Sequence, residues 1–481
     1  MKIIKKNLSH TLFVCFLLIT VANTPKTVEI QKVKISIEAP DFKATNIKIF
    51  TLDVINSEQT ILAETKLDAS GKGKIEFELT KPKFLFFDIN GQINTFYLEP
   101  KYNLHLSIPK NMDTPIKFSG IGAEANNYLA NMYLISRKIQ EANGKNIYMA
   151  EESIVLQRLD SLQGSLASFH KNYFAKNKLP KHLITLFEKL NVCHLLSIKQ
   201  AYSLNIATQN TPFKIPETLD ISSQIPTDSE LLEVEMIEYF RLFDILLQTK
   251  FIIPFWESHT PEESEKLQNQ ATILIQEIIT KSNYSSFIKE LLKAKNISFR
   301  MSTIGIAPET DRLYADFKNE FPKSNYLSSL DNHYKKWLRF SPGQPAPDFS
   351  GFTLEGKKIS LSDFKGKIVF IDVWATWCGP CVKELPKTKE IQKKFLGNKE
   401  VVFLYVSVDQ NIEAWKKAIS KENTNNGMEI NNDGSIYQAY MIHAIPRYML
   451  IDKEGKIVKV NAPHPSSGEV EDEINQLLSR K

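Results

Sequence analysis

Between about residues 25 and 115 apolar and polar positions alternate with a period of two, in the runs VKISIEA, IKIFTLD, KIEFEL, FLFFDI, NTFYLEP and YNLHLSI. A strand sends successive side chains to opposite faces, so this alternation predicts strands with one buried face. Turn-forming stretches separate the runs, among them Ala69-Ser70-Gly71-Lys72-Gly73 and Asn90-Gly91. Together they predict a small antiparallel, β-sandwich-like domain over residues 25–118. After Gly120-Ile121-Gly122 the period lengthens. From Ala123 to Phe340 apolar positions recur at helical spacing, broken at Leu179-Pro180, Thr211-Pro212, Ile225-Pro226 and Thr260-Pro261, which predicts a helical region over 123–340. Within it Val155, Leu159, Leu162, Leu166, Phe169 and Tyr173 form one stripe. The stripe reads as a seam packed inside this region, with a homodimer contact through the amino-terminal or helical part as the alternative.

A third pattern begins at residue 341. The segment Phe340 to Pro347 carries three prolines and one glycine and reads as a linker or extended lead-in. FTLEGKKISL then predicts a hairpin, KIVFIDVW a continuous apolar strand, and Gly379 to about Phe395 a helix. VVFLYVSVD predicts a buried strand and IEAWKKAISKE a helix; RYMLID and KIVKV form a second hairpin around Glu454-Gly455, before a terminal helix GEVEDEINQLLSRK. This alternation predicts an α/β domain over 341–481, and the whole chain is expected to be a multidomain α+β protein.

The chain has 481 residues, 42% of them hydrophobic, enough for two or three cores. Its 60 basic and 55 acidic residues are spread without a patch, so nucleic acid is not an expected partner. KIIKK followed by the apolar run TLFVCFLLITVA, too short to span a bilayer comfortably, predicts a signal peptide over 1–22. Cleavage after Ala22 would remove Cys15, a retained anchor being the alternative. The expected location is the periplasm or cell envelope. Cys193, on a helical pattern beside His194, reads as a core residue, and adjacent helical positions diverge too far for the two to share a metal ion.

Cys378 and Cys381 remain, in WATWCGPC. The pair opens a helix three residues after a strand, with Pro380 in the first turn where its missing N–H costs nothing. There Cys378 faces the positive end of the helix, which favours its thiolate, and Cys381 sits one turn inward. An exposed attacking thiol and a shielded resolving thiol are what dithiol exchange requires. Zinc would need two further ligands, and the sequence has no second CxxC or paired-His motif. Haem attachment wants histidine where Val382 stands, and a peroxiredoxin-type peroxidase wants threonine and proline where Ala375 and Ile371 stand. A structural disulfide is the remaining alternative. Asp372 interrupts the apolar strand, so burial should raise its pKa and let it take the proton of Cys381. Glu384 lies on the same side of the helix as Cys381 and reads either as a proton-transfer group or as an acid stabilising the helix dipole.

WCGPC with its flanking strand and helix looks like thioredoxin, and GQPAPDFSGFTLEGKKISLSDFKGKIVFIDVWATWCGPCVKELP resembles the TlpA/ResA-type exported thiol-disulfide oxidoreductases. The resemblance covers about the last 140 residues and implies a thioredoxin fold there. It makes Cys378 the nucleophile, Cys381 the resolving cysteine and the two a redox-active disulfide. It places Asp372 as the buried acid under the active-site helix and Glu384 as the acid of the ResA-type branch. Ile445-Pro446 resembles the cis-proline of the fold, leaving the Ile445 backbone free to pair with an extended substrate. Arg447 stands where thioredoxins often have threonine and is expected at the substrate, as is Trp377; Trp374 reads as packing. The amino-terminal half, through GIGAEANNYL, also resembles that of some exported bacterial members. The resemblance implies protein thiols and disulfides as substrates, a membrane electron donor, and neither cofactor nor metal. The Gly-Pro dipeptide matches reducing members, near about −270 mV. The alternative function is a cell-envelope binding protein whose first 340 residues recognise a partner.

Overall fold

The alternating runs of the first third pair into two sheets in a computed structural model of the chain. It describes residues 32–480 apart from 112, 142–145, 208–214, 261–262, 264–266, 268–269, 421–426 and 443; the expected signal peptide, with Cys15 and Ala22, lies outside them. The strands are β1 (Lys32–Glu38), β2 (Asn46–Leu52), β3 (Gln59–Lys66), β4 (Lys72–Glu78), β5 (Lys83–Ile89), β6 (Gln92–Leu98), β7 (Asn103–Ser107) and β8 (Lys117–Ile121). They form two four-stranded sheets in the orders β4-β1-β7-β8 and β3-β2-β5-β6. The expected antiparallel arrangement is corrected at one pair: β1 and β7 run parallel, from Lys34 opposite Asn103 to Glu38 opposite Ser107. Between them the chain passes into the other sheet twice, through β2–β3 and through β5–β6, with β4 pairing beside β1 in between. Alternation specifies which face is buried and carries no signal for that direction.

Helices follow from Ala123–Gln140 to Leu327–Leu338. The stripe on the helix Glu152–Lys176 buries Val155, Leu159, Leu162 and Leu166. Phe169 and Phe174 from the same helix stack on Tyr128 at 5.2 and 5.0 Å, and Phe187 does so at 4.8 Å, so the seam packs within this region. Cys193 is buried and free, and His194 Nε2 lies 2.7 Å from Ser136 Oγ.

The last third forms a seven-stranded sheet. Its strands are β9 (Ser350–Phe352), β10 (Lys358–Ser360), β11 (Ile368–Trp374), β12 (Val401–Ser407), β13 (Gly427–Asn431), β14 (Arg447–Ile451) and β15 (Ile457–Lys459). The order is β10-β9-β13-β12-β11-β14-β15, with β11 parallel to β12 and antiparallel to β14. Two elements go beyond the sequence reading, β13 and the short helix Ser435–Tyr440. GMEIN alternates over only four residues after its glycine, too few to stand out as a strand, and the helix is too short to show a period.

The proline-rich lead-in is no free linker. Phe340 is 1% exposed, with its ring 5.4 Å from Trp337 and stacked 5.9 Å from Tyr440. Beyond it Gly343 N–H donates to the Ile457 carbonyl at 2.7 Å and Ala346 N–H to that of Gly455 at 2.9 Å. Proline marks the change of backbone, but Phe340 buries itself across the boundary and joins the helices to the last sheet. Phe340→Ala should therefore cost about 3–5 kcal/mol and separate the unfolding of residues 341–479 from that of the helices. Denaturation followed by two probes, one in each part, checks this; one unchanged, coincident transition would show that the aromatic joint contributes nothing.

Candidate active site

The site is built at the end of β11, whose seven residues IVFIDVW are all buried, as expected for a strand covered on both faces. The chain then turns through Thr376, whose N–H and hydroxyl donate to the Asp409 carboxylate at 2.9 and 2.6 Å. Asp409 follows β12 and also accepts from the Ser407 hydroxyl at 2.9 Å, so the neighbouring strand holds the loop that presents the cysteines. Sequence reasoning missed Asp409; its signal is a carboxylate closing an otherwise apolar strand.

The next helix is Gly379–Lys394, and Cys378 is its N-cap with Pro380 in the first turn. Cys378 and Cys381 are joined as a disulfide with their Cα atoms 5.3 Å apart. Cys378 Sγ also accepts the backbone N–H of Cys381 at 3.2 Å. The expectation of an exposed Cys378 is corrected: it is 5% exposed and Cys381 1%, while Trp377 beside them is 67% exposed. The first turn folds the N-cap sulfur back over the helix's own N–H groups, which covers it and supplies the electropositive environment a thiolate needs.

Asp372 lies in the middle of β11, fully buried. Its Oδ2 accepts from Thr388 Oγ1 at 3.2 Å, and its Oδ1 has no hydrogen-bond partner among the described residues. Burial pushes its pKa up to about 7; the charge of Glu384 adds to the rise and the Thr388 hydrogen bond opposes it. Glu384 itself accepts from the N–H and hydroxyl of Ser466 at 3.0 and 2.8 Å. Its carboxylate thus ties the active-site helix to the turn before the terminal helix Glu469–Ser479. The register sets Tyr448 of β14 beside Asp372 on one side and Tyr405 of β12 on the other. Tyr405 is in turn opposite Glu429 of β13. Tyr448, Ser466 and Glu429 were all missed by sequence reasoning.

The Ile445-Pro446 bond is cis, and Pro446 immediately precedes the pairing of Arg447 with Val373, next to the strand end that leads into the cysteine loop. Arg447, expected at the substrate, is held by carbonyls of the protein itself. It alternates with Tyr448, so its side chain leaves on the face opposite Asp372, and its guanidinium donates to the Ser302 carbonyl at 3.3 Å and to that of Val460 at 3.5 Å. Burial pulls its pKa down to about 10. Arg447 is thus turned toward the helical region.

A central strand that ends at a helix-capping dithiol, with a buried acid beneath and a cis-proline beside it, defines a thioredoxin-like thiol-disulfide oxidoreductase. A family profile described as Redoxin matches residues 341–478. The chain is 32% identical to the thiol-disulfide oxidoreductase ResA of Bacillus cereus over 145 residues, 30% of this chain and 83% of that one. It is 34% identical to ResA of Bacillus subtilis over 137 residues, 28% of this chain and 76% of the relative. A crystal structure of a proposed thiol-disulfide oxidoreductase from Bacteroides vulgatus aligns at 40% identity and a TM-score of 0.27, over 29% of this chain and 98% of that one. Through this carboxy-terminal part the chain belongs to the ResA-type thioredoxin-like thiol-disulfide oxidoreductases, and its activity is that of an oxidoreductase of thiols and disulfides.

Two expectations follow. A carboxyl with a pKa near 7 in the fold and near about 4 in the unfolded chain binds its proton more tightly when folded. Its cost is absent at acid pH, grows between the two values and is complete above 7. Asp372→Asn should therefore stabilise the protein on the order of 3 kcal/mol at about pH 8 and leave it unchanged near about pH 3, read by urea denaturation at both. An equal effect at the two pH values would show that Asp372 is not held neutral by burial. Arg447→Met should lower stability and leave the relative rates on acidic and basic peptide disulfides unchanged; an altered charge preference in that competition would put the guanidinium at the substrate.

Proposed function

We propose that this chain is an exported enzyme that reduces disulfides of protein partners, with Cys378 attacking and Cys381 resolving. The observation that carries this reading is the N-cap position of Cys378 Sγ, which accepts the N–H of Cys381 at 3.2 Å over the buried carboxyl of Asp372. In the reduced enzyme the Cys378 thiolate attacks a substrate disulfide. A Cys378–substrate bond forms as the substrate S–S bond breaks, and one substrate thiolate leaves. The thiol of Cys381 then gives its proton to the Asp372 carboxylate and attacks Cys378 Sγ. The internal disulfide forms, the second substrate thiolate leaves, and the proton on Asp372 is available to a departing thiolate. The substrate gains two electrons and the dithiol loses them, so each turnover needs a two-electron donor, proposed to be a membrane protein. Trp377 and the backbone of Ile445 beside Pro446 form the rim against which an extended substrate segment would lie. The basic and apolar run within residues 1–22 supports export.

Cys381→Ser in the full chain should trap substrates on Cys378 as mixed disulfides, and proteins released by reductant should be exported ones; Cys378→Ser should trap none. Adducts with cytosolic proteins alone would remove export from the reading, and no adducts would remove the reductase.

A further inference from the structure

The face of the sheet beneath the active-site helix carries one polar row. Tyr448, Asp372, Tyr405 and Glu429 are paired in register across four adjacent strands, and paired residues project on the same side. Three of the four, Asp372, Tyr405 and Glu429, meet the active-site helix. Thr388 donates to Asp372, Tyr405 donates to Gln392 at 2.7 Å, and the charge of Lys389 acts on Glu429. Three atoms of the row, Tyr448 Oη, Asp372 Oδ1 and Glu429 Oε2, are buried without a hydrogen-bond partner among the described residues. Glu429 is a partly exposed residue whose Oε2 is sealed from solvent. The carboxyl of Glu429 interacts with the Trp374 indole and with the charge of Lys389, and leaves one oxygen buried and unpartnered among the described residues.

We infer that Glu429 is a positioning residue for thiol exchange, forming with Asp372 one coupled acid unit beneath the dithiol, so that the charge on Glu429 sets how tightly Asp372 holds the proton of Cys381. This rests on the role given to Asp372 above. Glu429 touches neither sulfur; it acts across Tyr405. Strands about 4.8 Å apart place the two acids about 10 Å apart at the backbone, within reach of a Coulomb interaction in a medium that water does not screen. The groups facing the unit are few. Asp372 meets Thr388 and Glu384 of the active-site helix and Tyr448 of β14. Glu429 meets Lys389 of that helix, Tyr405 of β12 and Trp374 of β11, with the helix Ile412–Ser420, which carries Glu413, Lys416 and Lys417, packed on β13. The Lys389 cation thus stands at the Glu429 end. Burial pushes Asp372 up to about 7 and Glu429 up to about 8, the charge of Asp372 contributing to the second rise. The two carboxyls therefore titrate as one unit, in two steps that belong to the pair. Once Glu429 is charged, Asp372 becomes the stronger base toward Cys381.

The test titrates the buried carboxyl bands of the oxidised full chain by infrared spectroscopy, alongside the pH profile for single-turnover reduction of a small aromatic disulfide. Wild type should show two carboxyl steps. Asp372→Asn should leave one, moved to lower pH than the upper wild-type step by about one pH unit, the shift expected for a unit charge at this distance and an effective dielectric near about 20. Glu429→Gln should abolish the upper step and the upper inflection of the rate profile while leaving the lower one. A Glu429 step that stays in place in Asp372→Asn, or a Glu429→Gln rate profile that overlays wild type, overturns the proposal. Should Glu429→Gln not fold, Asp372→Asn decides alone. A wild type that reduces no disulfide would sink the mechanism proposed for the dithiol, and the infrared arm would still decide the coupling.

Discussion

Everything around the dithiol is arranged over a carboxyl that the protein has taken out of water. Asp372 sits in the middle of the one strand buried along its whole length, and a charge there would cost far more than any single surrounding contact returns. The fold answers by letting the group stay neutral to about pH 7 and giving it one donor, Thr388. A fully paired carboxylate would be stable and useless as a proton acceptor. An unpaired apolar residue would be more stable and equally useless. The single hydrogen bond leaves Asp372 between those limits, and that condition requires the active-site helix to stay where Thr388 can reach it.

Two tethers hold the helix. At its start, Asp409 grips Thr376 through two hydrogen bonds, fixing the turn that delivers Cys378 to the N-cap. One turn in, Glu384 accepts from both donors of Ser466 and ties the helix to the chain before the terminal helix. Glu384 therefore acts on Asp372 in two opposed ways. Its charge makes ionisation of Asp372 harder, and its tether keeps in place the helix whose Thr388 makes ionisation easier. The two-donor pairing adds a tether that neither sequence reading of this residue contained.

The parts of the fold legible in sequence were those with a strong period or a strong motif. β11 and β12 are runs of apolar residues long enough to be strands and nothing else, and WCGPC at a strand-to-helix junction limits the chemistry to a few possibilities. What stayed hidden depended on contacts between distant segments. β13 opens on a glycine because Gly427 must clear Tyr405, where a Cβ would meet the ring at 2.5 Å, and its apolar-polar alternation over Met428 to Asn431 is too short to signal a strand. The parallel pairing of β1 with β7 depends on the path between them. The direction of Arg447 depended on which face of β14 is turned toward the helical region, a face its sequence neighbours do not report.

Arg447 also shows how the first 340 residues enter the site without supplying any reacting group. It directly follows the cis-proline and donates to the carbonyl of Ser302 at the end of the helix Ser286–Thr303. The Ser302 hydroxyl lies 3.1 Å from Nε2 of the buried His333. On the other side of that ring, Nδ1 is 3.5 Å from the Glu58 carboxylate, which His333 and Lys336 hold down at about 2. Glu58 lies just before β3, in the amino-terminal sheets. A continuous set of polar contacts thus runs from the first domain, through a buried histidine and a helix end, to the residue that follows the cis-proline. Because a guanidinium with two carbonyl partners is costly to leave unpaired, displacement of the helical region would expose the same cost at the strand beside Pro446. The upstream region is therefore part of what holds the strand beside Pro446 in place, although the disulfide, Asp372 and the cis-proline all lie beyond residue 370.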